Sequence, residues 1–96
     1  PSSAASQVET QRQPLVVLID LSGNYYVGNS ALVRNDLASL KEAIRQQAGT
    51  DTERTIVIQA DAKTSHQSVI TAMDAIGQLG FSKLSIATTP EKQDER

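Results

Sequence analysis

Three groups of side chains in this 96-residue chain could carry chemistry, and each has a structural reading beside it. His66 is the only histidine, and a general base needs a nucleophile or carboxylate brought within hydrogen-bond reach. Nothing near it in sequence forms such a set, so a surface histidine on the first turn of a helix is the competing reading. Asp61 and Asp74 could act as an acid pair. Asp61, however, follows an apolar run directly, where a carboxylate holds a loop by accepting backbone N–H bonds, while Asp74 falls on the solvent flank of a helical stripe. Asp20-Leu21-Ser22-Gly23-Asn24 offers oxygen ligands of the kind that suit a hard cation. The same residues also make a turn, with Asp and Ser bonding local backbone and Gly accepting positive φ. Cysteine is absent, and with one histidine a zinc site has too few ligands. No glycine-rich phosphate loop joins a strand to a helix. No cofactor is expected.

The elements that must position these groups follow from apolar patterning. Leu15–Ile19 is a short β-branched run suited to a buried strand. Tyr25-Tyr26-Val27, reached across a tight turn and ending at Gly28-Asn29, completes an antiparallel hairpin. The first helix starts near Asn35 or Asp36, both competent caps, carries Leu37, Leu40 and Ile44 on one stripe, and stops at Gly49. Thr55–Ile58 forms the third strand. Thr64-Ser65-His66-Gln67 fits a capping box, with Thr64 as cap and Gln67 reaching back, although Ser65 is an equally good cap. Val69, Ile70, Met73, Ile76 and Leu79 form the buried stripe of the second helix, and Gly80 ends it. Lys83–Thr88 gives the last strand before Pro90. The resulting order is β-β-α-β-α-β, an α+β two-layer domain with both helices on one face of a mixed four-stranded sheet. Its third and fourth strands are parallel neighbours across a helical crossover. Such a thin fold leaves a sheet face or a strand edge free for a partner.

Composition narrows the function classes. Nine basic against eleven acidic side chains give a net charge of −2. Only Tyr25, Tyr26 and Phe81 are aromatic, so neither the basic patch nor the stacking platform of a nucleic-acid binder is present. No apolar run approaches the roughly 20 residues that span a bilayer. Residues 1–13 are polar, small and aperiodic and read as a flexible linker. Residues 14–89 read as one domain and residues 90–96 as a charged, frayed tail.

The Asp20–Asn24 stretch resembles the D-x-S-x-S metal site of von Willebrand A domains, but Asn24 replaces the second hydroxyl and a strand follows instead of a helix. It also resembles the switch segment of STAS domains, protein-interaction switches. That family wants a Ser-Ser-Gly-like phosphorylation turn where this chain has Gly28-Asn29-Ser30-Ala31.

A broader likeness covers residues 14–89. Its components are the strand ending Ile19-Asp20, Gly23 with Tyr25 to Asn29, Ala60-Asp61, Met73-Asp74, Leu79-Gly80-Phe81, Lys83, and the Ile86-Ala87-Thr88 strand. In this order and spacing they resemble the periplasmic domain of the ExbD/TolR family. Val27-Gly28-Asn29 and Ala60-Asp61 look more like the ExbD branch.

The resemblance implies a binding module and no enzyme, the periplasmic domain of a single-span bacterial inner-membrane protein. The domain would follow a transmembrane helix that this sequence does not include, with an ExbB-like channel subunit around that helix. It implies a homodimer that engages a TonB-like protein, peptidoglycan or both, within a proton-driven motor serving transport across the outer membrane. The alternatives are a TolR-type peptidoglycan-binding subunit of the Tol-Pal system and the STAS-like switch.

The expected mode of partner binding is strand addition along the last strand, with Leu84 and Ile86 on one side and Ser85 and Ala87 on the other. Linker residues 8–14 are a candidate occupant of the same edge in a resting state. For glycan or stem-peptide recognition the candidates are Asn29, Arg34 and Lys63; Asp61 and His66 are further candidates for partner binding. His66 stands where several relatives carry an aromatic.

Overall fold

The computed structural model describes residues 13–89. The expected linker up to residue 12 and the expected tail at 90–96 lie outside the described residues. Seven elements follow in order: β1 (Leu15–Ile19), β2 (Tyr25–Val27), β3 (Ser30–Ala31), α1 (Leu37–Ala48), β4 (Ile56–Asp61), α2 (His66–Gln78) and β5 (Leu84–Thr89). The strands form one mixed sheet in the order β3-β2-β1-β4-β5. β1 pairs antiparallel with β2 and parallel with β4, and β4 pairs parallel with β5. The α+β class and the parallel pairing across the α2 crossover are as expected. The four-strand count is not, because the Gly28-Asn29 turn returns a two-residue strand, β3, antiparallel to β2. Positive φ falls on Gly28 alone in that turn (63°), the pattern of a two-residue hairpin with glycine at its first position. Ser30-Ala31 has no apolar alternation, so nothing in its composition announces a strand.

Alternation on β1, β2 and β4 sorts side chains cleanly. Val17, Ile19, Val27, Ile56 and Ile58 are fully buried, with Leu15, Tyr25 and Ala60 nearly so. Leu40 and Ile44 of α1 and Ala72, Ala75 and Ile76 of α2 close over them. Each fully buried Ile or Leu contributes about 1.5–3 kcal/mol. Two parts of the expected α2 stripe need correction. Met73 is 38 % exposed, whereas Ala72 and Ala75 are buried against the sheet side. Small side chains let α2 sit close to the strands, and a periodicity built on large apolar residues passes over them. The cap of α2 is Ser65, whose side chain accepts from the Ser68 amide, not Thr64. Gln67 does not reach back either; its amide bonds Thr71 Oγ1 at 3.3 Å. On α1, Asp36 caps by accepting from the Ser39 amide at 2.8 Å.

The opposite face of the sheet has no helix on it among the described residues, and Val16, Leu18, Tyr26 and Val57 there are only part-buried. On the covered face α1 packs over β2, α2 over β4 and β1, and the two helices pack on each other. Two helices side by side cover about 20 Å at the usual 8–10 Å interaxial spacing. Five strands about 4.8 Å apart span slightly more. The strand left beyond the helical layer is β5.

Candidate functional site

β5 is an edge strand six residues long, exposed along its length from Leu84 to Thr88. Its register pairs Leu84 with Ile56, Ile86 with Ile58 and Thr88 with Ala60. The side chains of Leu84, Ile86 and Thr88 therefore lie on the helical side of the sheet. Their partners on β4 are buried under the helices, yet Leu84 is 37 % and Ile86 50 % exposed. Ser85 and Ala87 lie on the open face, so the expected division of the strand into two sides holds.

Backbone polarity follows from one bond. The Ile56 amide donates to the Lys83 carbonyl at 2.9 Å. In a parallel ladder this directs the N–H and C=O groups of Lys83, Ser85 and Ala87 toward β4, and those of Leu84, Ile86 and Thr88 outward. The outer edge thus offers alternating donors and acceptors on the same three residues whose side chains face the helical layer. An extended segment laid against β5 can take main-chain bonds from these residues and set alternate apolar side chains beside Leu84 and Ile86. Thr88 was not among the expected contacts. Its signal was its two-residue spacing from Ile86.

The polar candidates do not converge. Asn29 sits at the tip of the β2–β3 turn, at the end of the sheet where β1 and β4 begin. Asp61, Lys63 and His66 sit at the other end, between β4 and the start of α2. Arg34 is in the loop before α1, with its Nε 3.6 Å from the Asp36 carboxylate. Asp61 accepts the Lys63 amide at 2.8 Å, the loop-holding role weighed against a binding one. His66 and Asp74 are exposed. No group of three acidic, histidine or cysteine side chains among the described residues is placed to hold a metal.

The Asp20 turn is built as a turn. Asp20 Oδ1 accepts the amides of Ser22 (3.0 Å) and Asn24 (2.9 Å), and Oδ2 accepts from Asn24 Nδ2 and the Tyr26 hydroxyl, each at 3.1 Å. The Asn24 amide leads the bonds that hold the Asp20 carboxyl below its usual range, and the Asp20 bond raises Tyr26 in return. Asn35 ties the loop before α1 to this turn, accepting the Tyr25 amide and donating to Asn24 Oδ1. Tyr25 spans the layers, its hydroxyl donating to the Ser68 carbonyl at 2.7 Å. Gly23 holds φ 87°, where any other residue is strained, and a Cβ there would stand 2.9 Å from Ser68 Oγ and displace that hydroxyl. The Asp-x-Ser-Gly-Asn-Tyr-Tyr signature is thus a fold signature.

A second concavity lies at the opposite edge, a groove of about 510 Å³ between β3 with its following loop and the outer side of α1.

Comparison with known proteins agrees with this frame. The chain is 24 % identical over 90 residues to the biopolymer transport protein ExbD of Neisseria gonorrhoeae, covering 94 % of this chain and 62 % of that protein. It is 24 % identical over 87 residues to ExbD of Neisseria meningitidis serogroup A, covering 91 % and 60 %. The chain spans about three-fifths of the length of these relatives. No helix among the described residues is long and apolar enough to cross a membrane. The family model described as "Biopolymer transport protein ExbD/TolR" matches residues 1–91, nearly the whole sequence, and the chain belongs to the ExbD/TolR family.

Proposed function

We propose that this chain is the periplasmic part of an ExbD-type subunit, which passes inner-membrane energy to transport across the outer membrane by holding an extended segment of a TonB-like protein along β5. The ExbB-like channel subunit would be met through a membrane helix outside this sequence, and two copies of the domain would act together. The observation that carries the reading is the outer edge of β5, which no other strand among the described residues pairs, with outward main-chain groups on Leu84, Ile86 and Thr88 beside the exposed apolar side chains of Leu84 and Ile86. Similarity to proteins named ExbD supports this branch over the TolR-type alternative. Peptidoglycan recognition by Asn29, Arg34 and Lys63 has less support, since Asn29 falls at one end of the sheet and Lys63 at the other.

The test is an NMR titration of the labelled 96-residue chain with an extended peptide from a TonB-like protein. The expected shifts are confined to β5 and the α2 flank beside it. The discriminating variant is Ile86→Pro, which deletes an outward amide. Proline at Ser85 or Ala87 deletes a bond to β4 and tests the fold instead. Ile86→Ala keeps the amide and controls for the lost side chain. Shifts centred away from β5, or binding undiminished in a folded Ile86→Pro chain, would sink the reading. Shifts at Asn29, Arg34 or Lys63 on adding peptidoglycan fragments would favour the other output.

A further inference from the structure

The carbonyl of Gln13 is held by a side chain from a distant loop, and we propose that this side chain, Arg54, is the anchor at which the domain takes up load from the chain that enters it. Arg54 passes part of that load to α1 before it reaches the first bond of β1. The inference rests on the reading above, with energy arriving through the residues ahead of Pro14.

Three observations carry it. Pro14 has no amide to give, so the ladder between β1 and β4 opens at Leu15, whose amide donates to the Thr55 carbonyl at 3.0 Å. Ahead of that bond, Arg54 Nε donates to the Gln13 carbonyl at 3.0 Å, which moves the anchorage outward along the entering chain. The same guanidinium reaches another element, its Nη1 donating to the Gln47 carbonyl in the last turn of α1 at 3.4 Å. A helix leaves its last carbonyls without intrahelical partners and carries partial negative charge there, so a cation is favoured at that end. Helix capping accounts for the Gln47 bond. It does not account for the bond to Gln13, 41 positions away in the sequence. Arg54 itself stands on a braced loop. Its amide donates to the Asp51 carbonyl at 3.2 Å, and the Glu53 amide to Asp51 Oδ1 at 3.3 Å. Glu53 pairs in turn with Lys83, just ahead of β5, at 3.4 Å. One planar fork thus ties the entering chain to the helical layer, a geometry that the point charge of a lysine lacks. Load at Gln13 is divided between α1 and β1, and the Leu15–Thr55 bond is not the first to break.

Unfolding of single molecules at a fixed force tests the proposal. The chain has no cysteine, so a handle can be attached at one chosen position. In one geometry the 96-residue chain is held at its two ends, and load enters through Gln13. In the other, Ser22→Cys, at an exposed position in the turn after β1, replaces the N-terminal handle and bypasses Gln13. Arg54→Ala should speed unfolding about tenfold in the first geometry, as for the loss of a charge-assisted hydrogen bond, and less than about twofold in the second. Arg54→Lys keeps the charge at the end of α1 and should unfold as fast as Arg54→Ala in the first geometry. Circular dichroism verifies that both variants fold. The proposal is overturned if Arg54→Ala leaves the first rate unchanged, or if lysine restores the arginine rate. It is equally overturned if both geometries are accelerated alike, since Arg54 then only caps α1. No partner peptide takes part, so a failed anchor and a failed titration at β5 are told apart.

Discussion

The two edges of the sheet solve the same problem in different ways. β3 is two residues long, ends in a bend, and lies beside the groove under α1. A short edge offers little template for another strand, which is one way proteins blunt an edge. β5 is six residues long, lies outside the helical layer, and keeps apolar side chains in solvent. Chain economy explains the difference: α1 and α2 cover β2, β1 and β4, and no third helix is left among the described residues for β5. One edge is blunted by its length, the other is left for main-chain pairing.

Register neighbours sharpen this contrast most strongly. Ile58 and Ile86 face each other on the same side of adjacent strands, but only Ile58 is covered. Ile58→Ala should cost about 2–5 kcal/mol. Ile86→Ala should cost well under 1 kcal/mol, as expected of a half-exposed side chain. Urea unfolding of the two variants checks this, and equal losses would mean that β5 is covered in solution.

The hairpin that creates the β3 edge comes next. Gly28→Ala places a side chain at φ 63° and 3.1 Å from the Gln47 amide oxygen, and should cost about 1–3 kcal/mol. Preserved stability would show that the turn relaxes and that β3 is not fixed.

Hydrogen exchange compares residues within β5. Amides of Leu84, Ile86 and Thr88 should exchange faster than those of Ser85 and Ala87, and a bound extended segment should erase the difference. An unalternating pattern would refute the register.

The smallest effect belongs to acid. The carboxyl of Asp20 is held below its ordinary value by bonds to Asn24, Tyr26 and Ser22. Its stabilisation is present above the unfolded pKa, near 3.9, and is lost as pH falls through the lower folded value. Asp20→Asn should flatten that limb of the stability curve below about pH 4, leaving the neutral region lowered but level.

Much of this fold is legible because burial writes itself as alternation. Leu15–Ile19 and the Ile56–Ile58 core of β4 are β-branched runs flanked by turn residues, and Leu37, Leu40 and Ile44 repeat at the helical period. Legibility fails where the deciding quantity is the cover supplied by other elements. Leu84 and Ile86 have the same apolar character as Ile56 and Ile58, and only the width of the helical layer separates exposed from buried. Met73 reads as core for the same reason, while Ala72 and Ala75, which set the distance of α2 from the sheet, carry no hydrophobic signal. Thr64 and Ser65 are chemically near-equivalent caps, and geometry alone assigns the role to Ser65. The division of β5 into two sides was readable from spacing. Its outward-facing groups were not, since they depend on which residue of β4 donates to Lys83.

Strand direction has a mechanical consequence. β1 runs parallel to β4, and β4 to β5, through five and six register pairs. A pull arriving through Pro14 runs along the strand axes when the strand held on β5 is drawn toward the opposite end of the sheet. It loads both ladders in shear, so their hydrogen bonds share the force and must fail together. The same pull across the β2–β3 hairpin would open its bonds one after another, at far lower tension. The order of strands in this sheet therefore spreads a load between Pro14 and β5 over two full ladders.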